Sequence, residues 1–205
     1  MQFSSYFWLL VCLDCLLLHF FYPGKRENLL DVIFVLGSSN LQFFQEYKNL
    51  ALDILDSPQT SDTKYGYIKY DSKPKVVRGL RDFISKSDVA ERLRNEPWSG
   101  IGSDLDGAIR KANDVFTKEG RLSARKLLVV YGDGPFDSDD GDLRDSRGTL
   151  VKGGVKVITV TFGDSDDDEK KLEIVTTTDK GPVRGNPEKP NEAKKKVTEE
   201  ILKGI

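Results

Sequence analysis

From residue 29 onward the chain alternates between two apolar patterns. Asp31-Val-Ile-Phe-Val-Leu36 is a short run rich in β-branched residues, the pattern of a strand covered on both faces. Over residues 41–56, Phe44, Tyr47, Ala51, Ile54 and Leu55 fall at helical spacing. Residues 65–70 and 75–77 read as two short strands, with Lys73-Pro74 turning between them. Leu80, Phe83, Ile84 and Leu93 predict an amphipathic helix over 80–93, and Leu105, Ala108, Ile109, Ala112 and Phe116 predict another over 104–118. Residues 126–131 form a second buried-type strand, ending at Gly132-Asp133-Gly134. A helix over 142–152 closes at Gly153-Gly154, a strand follows over 155–161, and a short helix over 167–175. A stretch punctuated by Pro and Gly, 181–190, precedes a closing helix at 191–203.

This βαβ alternation implies an α/β, doubly wound fold: a mostly parallel sheet with helices on both faces. Ligands of such sheets sit beyond the carboxyl ends of the strands. That rule directs attention to three loops, 37–40, 99–104 and 132–140. There is no internal repeat, and no linker long enough for a second domain.

The first residues differ in kind. Residues 6–22 are almost continuously apolar and are broken by Pro23-Gly24-Lys25-Arg26. The expectation is a signal peptide or hydrophobic leader over 1–24, followed by one domain over 29–205 and secretion to the extracellular space. No positive charge precedes the run, Asp14 interrupts it, and no small-x-small cleavage site is visible. A retained anchor and a misplaced start codon are the alternatives. An anchor would set Lys25 and Arg26 on the wrong side for an exported domain. Once a leader is removed, no membrane attachment is expected.

Composition narrows the chemistry. Lys+Arg number 31 against 33 Asp+Glu, so the basic surplus of a nucleic-acid binder is missing and no nucleic-acid partner is expected. The one histidine, His19, and the two cysteines, Cys12 and Cys15, all lie in the apolar leader. The CxxC spacing there has no strand-helix context and reads as small hydrophobes. The rest of the chain has no imidazole base, thiol nucleophile or soft metal ligand, which excludes Ser-His-Asp and Cys-His catalysis and the usual zinc sites. Oxygen ligands for hard cations remain.

Four segments resemble one family. Residues 31–40, DVIFVLGSSN, are similar to the first strand and loop of von Willebrand factor type A domains. Ser99-Gly-Ile-Gly-Ser-Asp-Leu-Asp-Gly-Ala-Ile109 resembles its Gly-rich loop, residues 127–134 its strand ending in Asp-Gly, and residues 152–163 its following helix end and strand. The resemblance covers residues 29–205 and is closest in style to the A domains of collagen type VI and matrilins. It implies a six-stranded, mainly parallel sheet with a metal-ion-dependent adhesion site on its upper edge, made of Asp-x-Ser-x-Ser, a threonine and an aspartate.

The chain departs from that pattern. The leading aspartate is missing, either deleted or replaced by Gly37, so the implied site is degenerate. Its ligands toward a weakly held Mg²⁺ or Ca²⁺ are expected to be Ser38, Asn40, Ser103 and Asp133, with Ser39 in place of Ser38 if the alignment is ungapped. Asp31 lies about six strand residues upstream, roughly 20 Å away, and cannot replace the lost carboxylate. Plainer readings stand beside these. Ser103 with Asp106 is a capping-box pattern, Asn40 or Ser39 can cap the helix at 41, and Asp133-Gly134 is ordinary turn chemistry. The acidic clusters 137–145 and 164–169 do not meet the EF-hand pattern and read as solvated loops and helix starts.

The family resemblance implies a non-enzymatic extracellular module that binds a matrix or cell-surface protein, with Ser39, Asp104, Pro135 and Phe136 as contact residues. A structural acidic component loosely holding calcium or mineral is one alternative. A nucleotide-binding or enzymatic α/β domain is another, and loop 37–40 lacks both glycine-rich phosphate motifs.

Overall fold

A computed structural model describes residues 29–57, 62–100, 102–186 and 188–202. The apolar leader, with Cys12, Cys15 and His19, lies outside the described residues. The order of elements is β1 (Leu29–Gly37), α1 (Leu41–Asp56), β2 (Asp62–Tyr70), β3 (Lys75–Arg78), α2 (Lys86–Asn95), α3 (Leu105–Glu119), β4 (Arg125–Tyr131), α4 (Asp140–Lys152), β5 (Val155–Thr161), α5 (Asp166–Val175), β6 (Val183–Arg184) and α6 (Pro190–Leu202). The strands form one six-stranded sheet in the order β3-β2-β1-β4-β5-β6. Only β3 runs antiparallel to its neighbour.

Every residue of β1 is buried because successive side chains enter opposite core layers. Val32, Phe34 and Leu36 join the layer built with α1, α2 and α6. Ile33 and Val35 join the layer built with α3, α4 and α5. The sheet is therefore covered on both faces, and the carboxyl ends of β1, β2, β4 and β5 meet along one upper edge, called the crest below.

The helix expected over 80–93 begins only at Lys86, where the Ser85 hydroxyl accepts from the Asp88 amide. The earlier apolar residues mimic helical spacing for another reason. Leu80 belongs to one core layer, Phe83 packs against the other, and Ile84 is 76% exposed. They form a turn, Phe83 N donating to Leu80 O, that wraps the sheet edge. α4 starts two residues before the expected position because Asp139 caps it. β6 is a two-residue strand inside the stretch that composition marks as irregular.

Candidate functional site: the crest of the sheet

The loop after β1 turns its three polar residues in three directions. Ser38 is fully buried, and its amide and hydroxyl both donate to the Tyr70 carbonyl, at 3.0 and 3.1 Å. Its own carbonyl accepts from the Trp98 indole at 2.7 Å. Ser39 points across to β4, its hydroxyl 2.7 Å from the Asp133 carbonyl and 3.3 Å from the Asp133 carboxylate. The Asn40 carboxamide oxygen accepts from the amides of Gln42 and Phe43 and caps α1. Gly37 is the last residue of β1, and a Cβ there would lie 3.0 Å from the Tyr70 hydroxyl. Ser39, not Ser38, thus faces the aspartate, as the ungapped alignment expects.

The Gly-rich loop approaches from the other side. Gly102 adopts φ +115°, and a Cβ on it would lie 2.7 Å from the Ser72 amide nitrogen, so only glycine lets the loop press onto the turn after β2. Ser103 is 1% exposed and its hydroxyl has no hydrogen-bond partner at normal distance, with the Tyr70 phenol as its polar neighbour. Its backbone is clasped by Asp137, whose carboxylate accepts from Ser103 N and whose amide donates to Ser103 O, both at 3.1 Å. The capping residue of α3 is Asp104, accepting from Gly107 N at 2.8 Å, and not Ser103. Asp106 turns instead to Arg110 and Ser146.

Asp133, just beyond β4, is 6% exposed. Burial pushes its carboxyl up from the usual 3.8 to about 7; hydrogen bonds from Ser39 and Tyr47 oppose the shift, and the nearby Asp168 charge adds to it. Pro135, joined to Gly134 by a cis peptide bond, is exposed. Phe136 corrects an expectation. It is 6% exposed and packs into the α3–α5 core layer over Gly132, because a ring that size gains more from burial than from solvent. It is a support of the crest rather than a contact on it.

Sequence reasoning missed the roles of three crest residues and of two lysines that support them. Tyr70 spans the site from below, donating to the Tyr131 carbonyl at 3.1 Å. Ser99 donates to the Asp71 carboxylate at 2.7 Å, and its hydroxyl lies 3.1 Å from that of Ser38. Trp98 is 43% exposed beside them. Two buried lysines hold the segment that carries Trp98. Lys48 from α1 donates to the carbonyls of Arg94 and Glu96, at 3.2 and 3.1 Å. Lys69 from β2 donates to the Pro97 carbonyl at 3.0 Å and pairs with Glu96 at 2.7 Å. The legible signal was a tryptophan and a serine directly before a glycine-rich loop; the lysines gave none.

A hard dication prefers a near-octahedral set of oxygens, with carboxylates to offset its charge. Here the Ser38 hydroxyl faces inward, the Asn40 oxygen serves α1, and the Ser39 proton serves Asp133. Of the expected ligands, the Ser103 hydroxyl and the Asp133 carboxylate are what remain. Among the described residues no group of three His, Cys, Asp or Glu side chains is placed to share an ion. One carboxylate and one uncommitted hydroxyl do not fit such an ion.

A mostly parallel six-stranded sheet, helices on both faces, and a serine- and aspartate-lined crest define a class of α/β binding folds. The family model for the von Willebrand factor type A domain matches residues 31–196, and the chain belongs to that family. It is 29% identical over 159 residues to the human collagen alpha-5(VI) chain, covering 73% of this chain and 6% of that protein. It is 29% identical over 146 residues to the human collagen alpha-6(VI) chain, covering 66% of this chain and 6% of that protein. The chain thus spans a small fraction of the length of these relatives. Among solved structures, proximal thread matrix protein 1 of the mussel byssus superposes with a TM-score of 0.73 at 17% identity, over 83% of this chain and 47% of that one. Another structure of that protein has zinc in its metal-ion-dependent adhesion site (TM-score 0.70, 17% identity, 83% and 47% covered). An aerotolerance-related membrane protein of Bacteroides fragilis gives a TM-score of 0.66 at 17% identity, covering 85% of this chain and 99% of that one. Similarity at that level establishes the shared fold.

Proposed function

We propose that this chain is a non-enzymatic, extracellular protein-binding or matrix module that works through its crest with weak or absent dependence on a divalent cation. The observation that carries the reading is the state of Asp133: it is the one carboxylate left at the family's metal position, and it is hydrogen-bonded to Ser39. The matrix setting is supported by relatives that are collagen VI chains and by a structural neighbour from a byssal thread. The absence of histidine and cysteine from residues 29–205 supports a non-catalytic role. No helix among the described residues is long and apolar enough to cross a membrane. The acidic clusters favour no separate calcium role. Asp139 caps α4, Asp142 lies 3.6 Å from Arg110, Asp167 pairs with Lys170, and Asp166 and Glu169 pair with Arg184.

Thermal unfolding tests the cation dependence. A ligand at about 100 times its dissociation constant stabilises a protein by about 2.7 kcal/mol, which for this size is roughly 5–10 °C. The full chain is expected to keep its Tm within about 1 °C between EDTA and millimolar Mg²⁺, Mn²⁺ or Ca²⁺. Gly37→Asp, whose Cβ needs both the Tyr70 ring and the Tyr131 carbonyl to give by a few tenths of an ångström, is expected to gain a cation-dependent shift. A full-sized shift in the unaltered chain, abolished by Asp133→Asn, would show the site to be a working cation site.

A further inference from the structure

We propose that the crest receives a cationic side chain, an arginine presented by a partner protein, laid over Trp98 and paired with Asp71. The inference rests on the crest being a protein-binding face and names the chemistry of what it binds.

Trp98 is the large aromatic residue exposed at the crest. Its one polar atom is already used, because the indole N–H donates to the Ser38 carbonyl at 2.7 Å. The exposed part of the ring therefore carries no hydrogen-bonding demand of its own. The segment beneath it is fixed by Lys48 and Lys69, so little side-chain freedom is left to lose on binding. A fixed, half-exposed tryptophan is the kind of residue that anchors interfaces.

The charge around the ring selects the occupant. Asp71, tied to the neighbouring Ser99, accepts only from that hydroxyl and from the Lys73 backbone amide. Asp104 lies in the loop that follows Ser99, Asp137 accepts from Ser103 N within it, and Asp133 faces Ser39 across the crest. Among the described residues none of these four carboxylates makes an ion pair, whereas Asp31, Asp62, Asp88 and Asp106 elsewhere do.

A dication at this position would make the crest attract a carboxylate. With Gly37 in the aspartate's place and no fitting ion set, the carboxylate offered beside the Trp98–Ser99 segment is that of Asp71, without an ion pair, and the preference inverts toward a cation. Arginine suits the arrangement better than lysine: its planar guanidinium stacks on an aromatic face while its N–H fork reaches a carboxylate beside the ring.

The test uses the full chain carrying Trp8→Phe, so that Trp98 is its only tryptophan. Random twelve-residue peptides displayed on phage are selected on it, and the enriched sequences are made synthetically and titrated while Trp98 fluorescence is followed. Arginine-bearing peptides are expected to dominate. Asp71→Asn should weaken their affinity by at least about tenfold, since its oxygen can still accept from the Lys73 amide and its NH2 can donate to the Ser99 hydroxyl while the charge is gone. Trp98→Ala, read by calorimetry, should do the same. EDTA should leave binding unchanged, rising salt should weaken it, and Asp145→Asn on α4 should have no effect. Enrichment of acidic, Mg²⁺-dependent peptides would overturn the inference and leave the crest as the binding face. So would crest-bound peptides indifferent to Asp71 and Trp98. Failure to select any crest-bound peptide would count against both readings.

Discussion

Asp133 sits where two demands conflict: its position between β4 and Ser39 suits a carboxylate, yet its burial penalises the charged form. Because its folded-state pKa of about 7 lies above the usual 3.8, the native state binds the proton more tightly than the unfolded chain does. This group's contribution to stability is thus fully present below about pH 4. It is lost as pH rises toward 7, at a cost of at most about 4 kcal/mol. Asp133→Asn keeps an oxygen that can accept from Ser39 and removes the titration. The variant is expected to melt above the parent at pH 8, with the gap closing by pH 4. A constant difference across that range would place the stability change elsewhere than in the Asp133 charge. At this scale motif order was enough to single out Asp133 and the loop after β1, which the structure brings within hydrogen-bonding distance of each other through Ser39. Motif order could not tell which of Ser38, Ser39 and Asn40 faces inward, since that depends on how β1 is paired with β2 and β4.

Among the elements, α1 shows how a plain structural role competes with a chemical one. Asn40 was an expected metal ligand, and its side chain instead satisfies two amides at the start of the helix. Asn40→Ala is expected to cost about 1 kcal/mol, within the roughly 0.5–2 kcal/mol range of such caps. The loss should be equal in EDTA and in Mg²⁺, measured by denaturant unfolding; a larger loss in Mg²⁺ would return Asn40 to the ligand set. The buried strands were legible because each carries a short run rich in Val, Ile and Leu, only sparsely interrupted by polar residues. The helix expected at residue 80 failed because Leu80 and Phe83 serve opposite sides of the sheet, which periodicity along one axis cannot distinguish. The two-residue β6 carries no pattern of its own, and its pairing with β5 defines it.

Across the whole molecule, crest and base divide the work, and the base holds the charge cluster that the sequence could only exclude from the site. Asp31, fully buried at the foot of β1, accepts from the backbone amide of Arg121 at 2.7 Å and from its Nε at 2.8 Å. The same guanidinium reaches Asp62 and donates to the Leu30 carbonyl at 2.9 Å. One side chain thus ties the α3–β4 turn to the first residues of both β1 and β2, partners 59 to 91 positions away in sequence. No local pattern announces such a contact. Arg121→Ala would leave the Asp31 carboxylate buried with only the backbone amide, and breaking a buried pair from one side costs about 3–5 kcal/mol. Against a total of roughly 5–15 kcal/mol for a domain, that is a large share of the stability. Asp31→Asn combined with Arg121→Ala removes the stranded charge and is expected to recover part of the loss. Neither variant touches Trp98 or Asp71, so peptide affinity per folded molecule should stay at the parent value while Tm falls. A drop in affinity with stability intact would mean that the two ends of the sheet are coupled. A loss under about 1 kcal/mol in Arg121→Ala would mean that water reaches Asp31 and solvates its charge.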